Sequence, residues 1–356
     1  IIDPHHHLWD ARTQPKGWPM PRWFIHMLYL NKLSYIVDMT ITEDTPWRKA
    51  ELNSFGHRQL MFSMPYMGRE LDADIRNAHS GGKPGHKVVQ TVYLECGWHD
   101  TEAEEGLWSV GEAAMAHDVN RQYPNLCNGI VANANLSSPQ VEKVLAAYST
   151  MPGVKGIRHS LAHSDNPMIL DSGSGPHKAA ADDFRKGFAL LDKYGLTYDT
   201  WMFHEQLADV TDLVKAFPNQ VVIIDHVAMP LGRSTYKRSE VFPAWEKGIK
   251  ALAQASSGNV YVKLSGLAMC NCGFDFDLKE KPPSSKELAE AWGPYFKVVL
   301  DAFGVDKCMF ASNFPVDKVT CDYTVLWNAF KHFTSNMSAA DKRKLYYENA
   351  KRVYKL

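Results

Sequence analysis

Ile1-Ile2-Asp3-Pro4-His5-His6-His7-Leu8 opens on β-branched residues and ends in polar ones. Seven more short runs of this kind follow: Val88–Glu95, Asn128–Ala132, Val154–His159, Leu196–Trp201, Val221–His226, Val260–Ser265 and Cys308–Asn313. Between them the apolar spacing turns helical. Pro139–Tyr148 carries Val141, Val144 and Leu145 on one side, Asp182–Tyr194 carries Phe184, Phe188 and Leu191, and Ser338 with Asp341 opens the last helix as a capping box. A strand that feeds a helix, eight times over, is the pattern of parallel βα units. Eight such units close into a (β/α)8 TIM barrel. The 356 residues exceed the ~250 such a barrel usually takes. Much of the surplus falls after strand 1, around Trp18-Pro19-Met20-Pro21-Arg22-Trp23-Phe24, and a second insertion, Cys270–Ser285, follows strand 7. Both insertions lead off strand ends, so both are expected on the catalytic face as lids. With no repeat and no linker, residues 1–356 read as a single domain.

Composition narrows the partners. A hydrophobic fraction of 45% supports a sizeable core, and 39 basic against 40 acidic residues leaves a net charge of -1. No field is available to gather phosphate backbones or anionic lipid, so nucleic acid and membrane are excluded as partners. Apolar runs such as Val221–Ile224 stop far short of the ~20 residues that cross a bilayer. Six scattered cysteines read as free thiols of a reducing compartment, and cytoplasmic localisation is expected. Cys270-Asn271-Cys272 lacks a second pair at zinc-site spacing and is not read as a metal site. The sequence opens at Ile1 without a methionine, which leaves room for a removed leader.

The chemistry concentrates at strand ends. Side chains alternate along a strand, so His5 and His7 share one face and His6 takes the other. Two imidazoles on one face can share a transition-metal ion. His204, just after strand 5, and His226, ending strand 6, would join them at one barrel mouth, whereas the remaining histidines read as surface or packing residues. Arg158, ending strand 4, is placed to grip a substrate carboxylate. Lys263 and Ser265 share a face at the end of strand 7, and Trp9, Trp18, Trp23, Trp98 and Trp201 lean towards a flat or apolar substrate. No phosphate-cradling glycine loop follows a strand and no Gly-x-Ser-x-Gly elbow is present, which disfavours nucleotide and serine-hydrolase chemistry.

Several motifs, in order, carry a resemblance. Asp3-Pro4-His5-His6-His7-Leu8-Trp9, Val92-Tyr93-Leu94-Glu95-Cys96, Gly156-Ile157-Arg158-His159, Asp199 to Leu207, Asp225-His226-Val227-Ala228-Met229-Pro230, Ala311-Ser312-Asn313-Phe314-Pro315 and Glu348 to Tyr354 span the whole chain. Together they resemble the amidohydrolase superfamily, in its branch of aminocarboxymuconate semialdehyde decarboxylase-like and lactone-hydrolysing TIM-barrel proteins. The resemblance implies that His5, His7 and His204 are metal ligands and His226 a catalytic histidine, with a divalent metal, zinc being the expected ion. Glu95, His159, Trp201, Lys263 and Arg158 are expected around the substrate, and relatives of this kind are often homodimers.

One position departs from the pattern. Hydrolytic relatives carry a metal-binding, proton-accepting Asp on the final strand, and Asn313 stands there. A neutral amide cannot take that proton. His226, Asp317, Glu95 and Asp10 are then candidate bases. Alternatively the reaction is a decarboxylation, the site binds without turnover, or Asn313 is a structural variant. The expected function is metal-assisted hydrolysis of a small carboxylated cyclic ester, a lactone. The alternatives are a metal-dependent decarboxylase of a small unsaturated or aromatic acid and a non-catalytic small-molecule binder.

Overall fold

The computed structural model describes residues 1–10, 12–15, 65–78 and 85–356. Eight short strands, β1 (Ile2–His6), β2 (Gln90–Leu94), β3 (Gly129–Asn133), β4 (Val154–Arg158), β5 (Thr197–Thr200), β6 (Val222–Ile224), β7 (Val260–Leu264) and β8 (Cys308–Phe310), pair in chain order and always in parallel. The last strand returns to the first. Asn313 N–H donates to His5 O at 2.8 Å, and the Asp3 carboxylate accepts from Ser312 N–H at 2.9 Å and the Tyr323 hydroxyl at 3.0 Å. The expected (β/α)8 barrel is the fold, and each of the eight expected runs contains or overlaps its strand.

Helices wrap the outside because each offers one apolar stripe. Arg238–Ala255 buries Val241, Trp245, Ile249 and Leu252, a 3.6-residue spacing. Ser285–Phe303 starts with a reciprocal cap, Ser284 N–H donating to Glu287 and Glu287 N–H to Ser284 Oγ. The stretch expected as one helix over Asp182–Tyr194 runs as two, Asp182–Phe188 and Leu190–Lys193. Ser338 caps the helix Ala339–Arg343 as expected, accepting from Asp341 N–H.

Inside the barrel a small apolar cluster of Ile2, Val92, Leu94, Val131, Ile223 and Met309 is closed off by Ala350 and Val353 of the C-terminal helix, Asn349–Val353, and by Tyr354 directly after it. This dry floor leaves the C-terminal strand ends as the place for polar groups.

The insertion after β7 holds two 3₁₀ turns, Cys270–Cys272 and Phe276–Leu278. It is tied to the loop after β6: Gly232 N–H donates to Asn271 O at 2.8 Å, and Arg233 pairs with Asp275 and Asp277. Gly232 and Gly273 approach so closely that a Cβ on either would enter the other loop's backbone. The stretch around Trp18 and Trp23 lies outside the described residues. All six cysteines are free, and among the described residues no helix is long and apolar enough to cross a membrane.

Candidate functional site

Strand alternation brings His5 and His7 together inside the barrel, Nε2 to Nε2 at 3.1 Å. His6 points the other way, to Thr91 Oγ1 at 2.8 Å. His7 Nδ1 lies 2.9 Å from the Leu94 carbonyl, which only accepts, so His7 carries its proton on Nδ1 and turns an Nε2 lone pair towards His5.

Behind His5 stands a buried charge cluster supplied by β4, β5, β6 and β7. Lys263 is wholly buried and donates to Asp199 Oδ2 at 2.7 Å, while Tyr354 OH donates to the same oxygen at 2.6 Å. Lys263 Nζ also lies 3.2 Å from His5 Nδ1, in hydrogen-bond geometry, and 3.0 Å from Asp225 Oδ1. Asp225 meets His5 Nδ1 at 3.2 Å and Arg158 Nη1 at 3.7 Å. None of its contacts has hydrogen-bond geometry, so both of its buried oxygens are unsatisfied. Its carboxyl is nevertheless held well below the usual range: burial opposes ionisation, and Lys263 and His5 outweigh it. Asp199 is pushed up to about 6, chiefly by burial.

His226 approaches from β6 with its ring 4.5 Å from that of His5, and its Nδ1 lies 2.9 Å from Ser265 Oγ. His226, Val227 and Ala228 all have positive φ, 55°, 52° and 53°. Each such residue costs about 1–2 kcal/mol, so the turn that delivers the imidazole is held by its surroundings. Gly266, at φ 72°, is one of them, since a Cβ there would strike the His226 ring. Burial pushes His226 down to about 3, so it is neutral at physiological pH.

The other expected residues fall into different surroundings. Arg158 is spent on Glu95, Nε to Oε1 at 2.6 Å and Nη2 to the carbonyl at 2.8 Å, so the free carboxylate grip expected of it is not built. His204 begins a 3₁₀ turn four residues past β5, its ring 5.9 Å from Tyr236, and touches neither His5 nor His7. Among the described residues the expected His5, His7, His204 triad is not arranged to hold a metal. His159 alternates outward from Arg158, packs on Phe184 and accepts Leu136 N–H at 3.0 Å, a packing role in place of substrate contact. Trp201 is half-buried, its Nε1 3.5 Å from Met229 Sδ. Asn313, also at positive φ, donates from Nδ2 to Asp317 Oδ1 at 2.7 Å, and burial pushes Asp317 up to about 8. Asp10 is paired with Arg12. Asp225, Asp199 and Tyr354 were not singled out from the sequence. The signal that could have found them lay in the motifs already quoted, where Asp225 stands directly before His226, Asp199 opens the stretch to Leu207 and Tyr354 closes the last one.

The residues fit a metal in part. Two nitrogens on one zinc at ~2.0–2.1 Å in a tetrahedral array stand ~3.4 Å apart, close to the separation of the His5–His7 pair. An unsatisfied carboxylate directly behind them suits a cation. Among the described residues no group of three or more His, Cys, Asp or Glu side chains is arranged to hold a metal, so the fit is to two coordination positions.

Buried neutral histidines set the acid limit of the fold. Burial lowers His5, His6, His7, His159, His204 and His226, which stay neutral when folded and charge near pH 6.5 when unfolded. Asp3 and Asp199, raised to about 6, and Asp317, raised to about 8, oppose this by holding protons in the fold. On balance the histidines outnumber the raised carboxylates, so the unfolded chain binds more protons than the fold as pH drops below 6.5, and stability falls with pH there. Thermal unfolding followed from pH 7 to pH 5 should show the melting temperature dropping; a flat profile contradicts this.

A sequence profile of the amidohydrolase family matches residues 2–356. The uncharacterized protein y4mH of Sinorhizobium fredii is 30% identical, over 100% of this chain and 98% of its own length. The L-rhamnono-gamma-lactonase of Scheffersomyces stipitis is 27% identical, over 62% of this chain and 66% of its own. Among solved structures, an amidohydrolase from Burkholderia multivorans with bound zinc superposes with a TM-score of 0.68 at 19% identity, covering 100% of this chain and 99% of that one.

Proposed function

The chain belongs to the amidohydrolase family, and from that premise we propose that it is a metal-assisted hydrolase of a small lactone. The observation that carries this reading is the buried His5–His7 pair, backed by Asp225 at the mouth of the barrel. His5 and His7 would hold a divalent ion, which when bound supplies Lewis-acid polarisation of the lactone carbonyl. Zinc is the ion proposed, since imidazole suits it.

Elimination selects the base. Asp10 is committed to Arg12, Glu95 to Arg158, and Asp317 keeps its proton near neutral pH. His226 remains: neutral, fixed through Nδ1 on Ser265, with Nε2 making no hydrogen bond among the described residues. It takes the proton of the attacking water, and Asp225 stabilises the imidazolium that results. Arg158, anchored by Glu95, contributes a fixed positive field for the developing oxyanion. Because Arg158 is already paired, a neutral polyhydroxylated lactone suits the site better than a carboxylated one. The similarity to an L-rhamnono-gamma-lactonase supports that choice.

Asn313→Asp is expected to leave turnover no higher than wild type, since the side chain at this position is committed to Asp317. A tenfold or greater gain in kcat would make the missing carboxylate the limiting element and displace His226 as base.

The function is tested by supplying neutral aldonolactones, carboxylated lactones and aromatic acids side by side. Proton release from the neutral lactones without carbon dioxide supports the proposal. Carbon dioxide from an unsaturated or aromatic acid moves the enzyme to the decarboxylases, and tight binding with neither product makes it a binder.

A further inference from the structure

His226 is delivered by a turn that its own residues do not favour. His226, Val227 and Ala228 follow one another at φ 55°, 52° and 53°, none of them is glycine, and Val227 is β-branched. A left-handed run of this kind persists only where partners outside it fix it.

Those partners reach the turn from two sides. Met229, directly after it, accepts His204 N–H at 3.1 Å on its carbonyl, and its sulfur lies 3.5 Å from Trp201 Nε1 and 3.0 Å from Asn271 Nδ2. A thioether is a weak acceptor, so the two side-chain contacts hold the exit of the turn loosely. The short bond falls inside the turn, where the Val227 carbonyl accepts Trp245 Nε1–H at 2.7 Å. Both residues are fully buried, and a buried carbonyl that loses its donor is costly.

Trp245 belongs to the helix Arg238–Ala255 on the outside of the barrel. Its ring packs against Phe242 at 5.5 Å and against Tyr295, on the helix Ser285–Phe303, at 5.1 Å. Two outer helices therefore aim this one N–H, and through Val227 they set where the backbone of the turn lies. The His226 ring in turn sits against Gly266, where a Cβ would strike it, with Nδ1 2.9 Å from Ser265 Oγ. A turn that shifts takes the ring out of this slot.

We propose that Trp245 is a positioning residue for His226: its indole N–H, donated to the Val227 carbonyl, fixes the left-handed turn that seats the imidazole between Ser265 and Gly266. The account rests on the reading of His226 as the base.

Trp245→Phe removes the N–H and keeps most of the ring. With a neutral aldonolactone as substrate it should lower kcat about tenfold to a hundredfold and leave KM within about twofold of wild type, because a base displaced by about 1 Å affects the transition state and not binding. A packing role lowers activity as well, so the substitution is made in two backgrounds. In His226→Ala, where the base is already gone, Trp245→Phe should change the residual rate by less than about twofold. An equal loss in both backgrounds makes Trp245 a packing residue and overturns the proposal. Full activity of Trp245→Phe beside a crippled His226→Ala also overturns it, and leaves the base in place. His226→Ala at the wild-type rate removes the base itself and the proposal with it. Where Trp245→Phe does not fold, site-specific replacement of Trp245 by 3-benzothienylalanine, which exchanges the N–H for sulfur at nearly constant shape, is read by the same comparison. Failure of that isostere to fold assigns Trp245 to packing and overturns the proposal.

Discussion

His7→Ala is expected to lower lactone hydrolysis about a thousandfold. The His7 Nε2 lone pair is fixed by the Nδ1 bond to Leu94 and has no function in packing that a methyl group could replace. Its removal leaves His5 alone, and one imidazole does not hold a divalent ion in place. The polarisation lost is worth about 4 kcal/mol in the transition state, which is about three powers of ten in rate. Circular dichroism and thermal unfolding would report whether the fold is kept once the buried His7 and its bond to Leu94 are removed. Retention of more than about a tenth of wild-type kcat/KM would remove this residue from the chemistry.

The second large effect concerns the fold. Lys263→Met should destabilise by about 3–5 kcal/mol, since it strands Asp199 and Asp225 in the barrel interior without their shared cation. That corresponds to a fall of about 5 °C in melting temperature. Adding Asp199→Asn should return most of the loss, because Tyr354 can still donate to the amide oxygen. A drop below about 1 kcal/mol for the single variant would mean that the carboxylates take up protons or water in its place. The two experiments separate cleanly. One removes function at constant fold, and the other removes stability through a buried ion-pair cluster.

The barrel was legible because each of its strands is a short run of β-branched or apolar residues ending in polar ones, and that signal is local. The His5–His7 pair was legible for the same reason, since alternation along one strand decides it. The same parity, applied to Arg158 and His159, already says that only one of them faces inward. His204 lies four residues beyond its strand, in a 3₁₀ turn, where side-chain alternation no longer decides direction. Asp225, Lys263 and Asp199 are different. In sequence Lys263 reads only as an aid to substrate binding and Asp199 and Asp225 only as parts of motifs; their meaning comes from contacts between strands far apart in sequence, which bring Lys263 to both carboxylates. A charge becomes informative only once burial is known, and the sequence does not print burial.

The metal content of the purified protein tests the account most directly. Elemental analysis should find about one transition-metal ion per wild-type chain and under about a tenth of that in His5→Ala. A wild-type preparation free of transition metal that still opens lactones at full rate would contradict it.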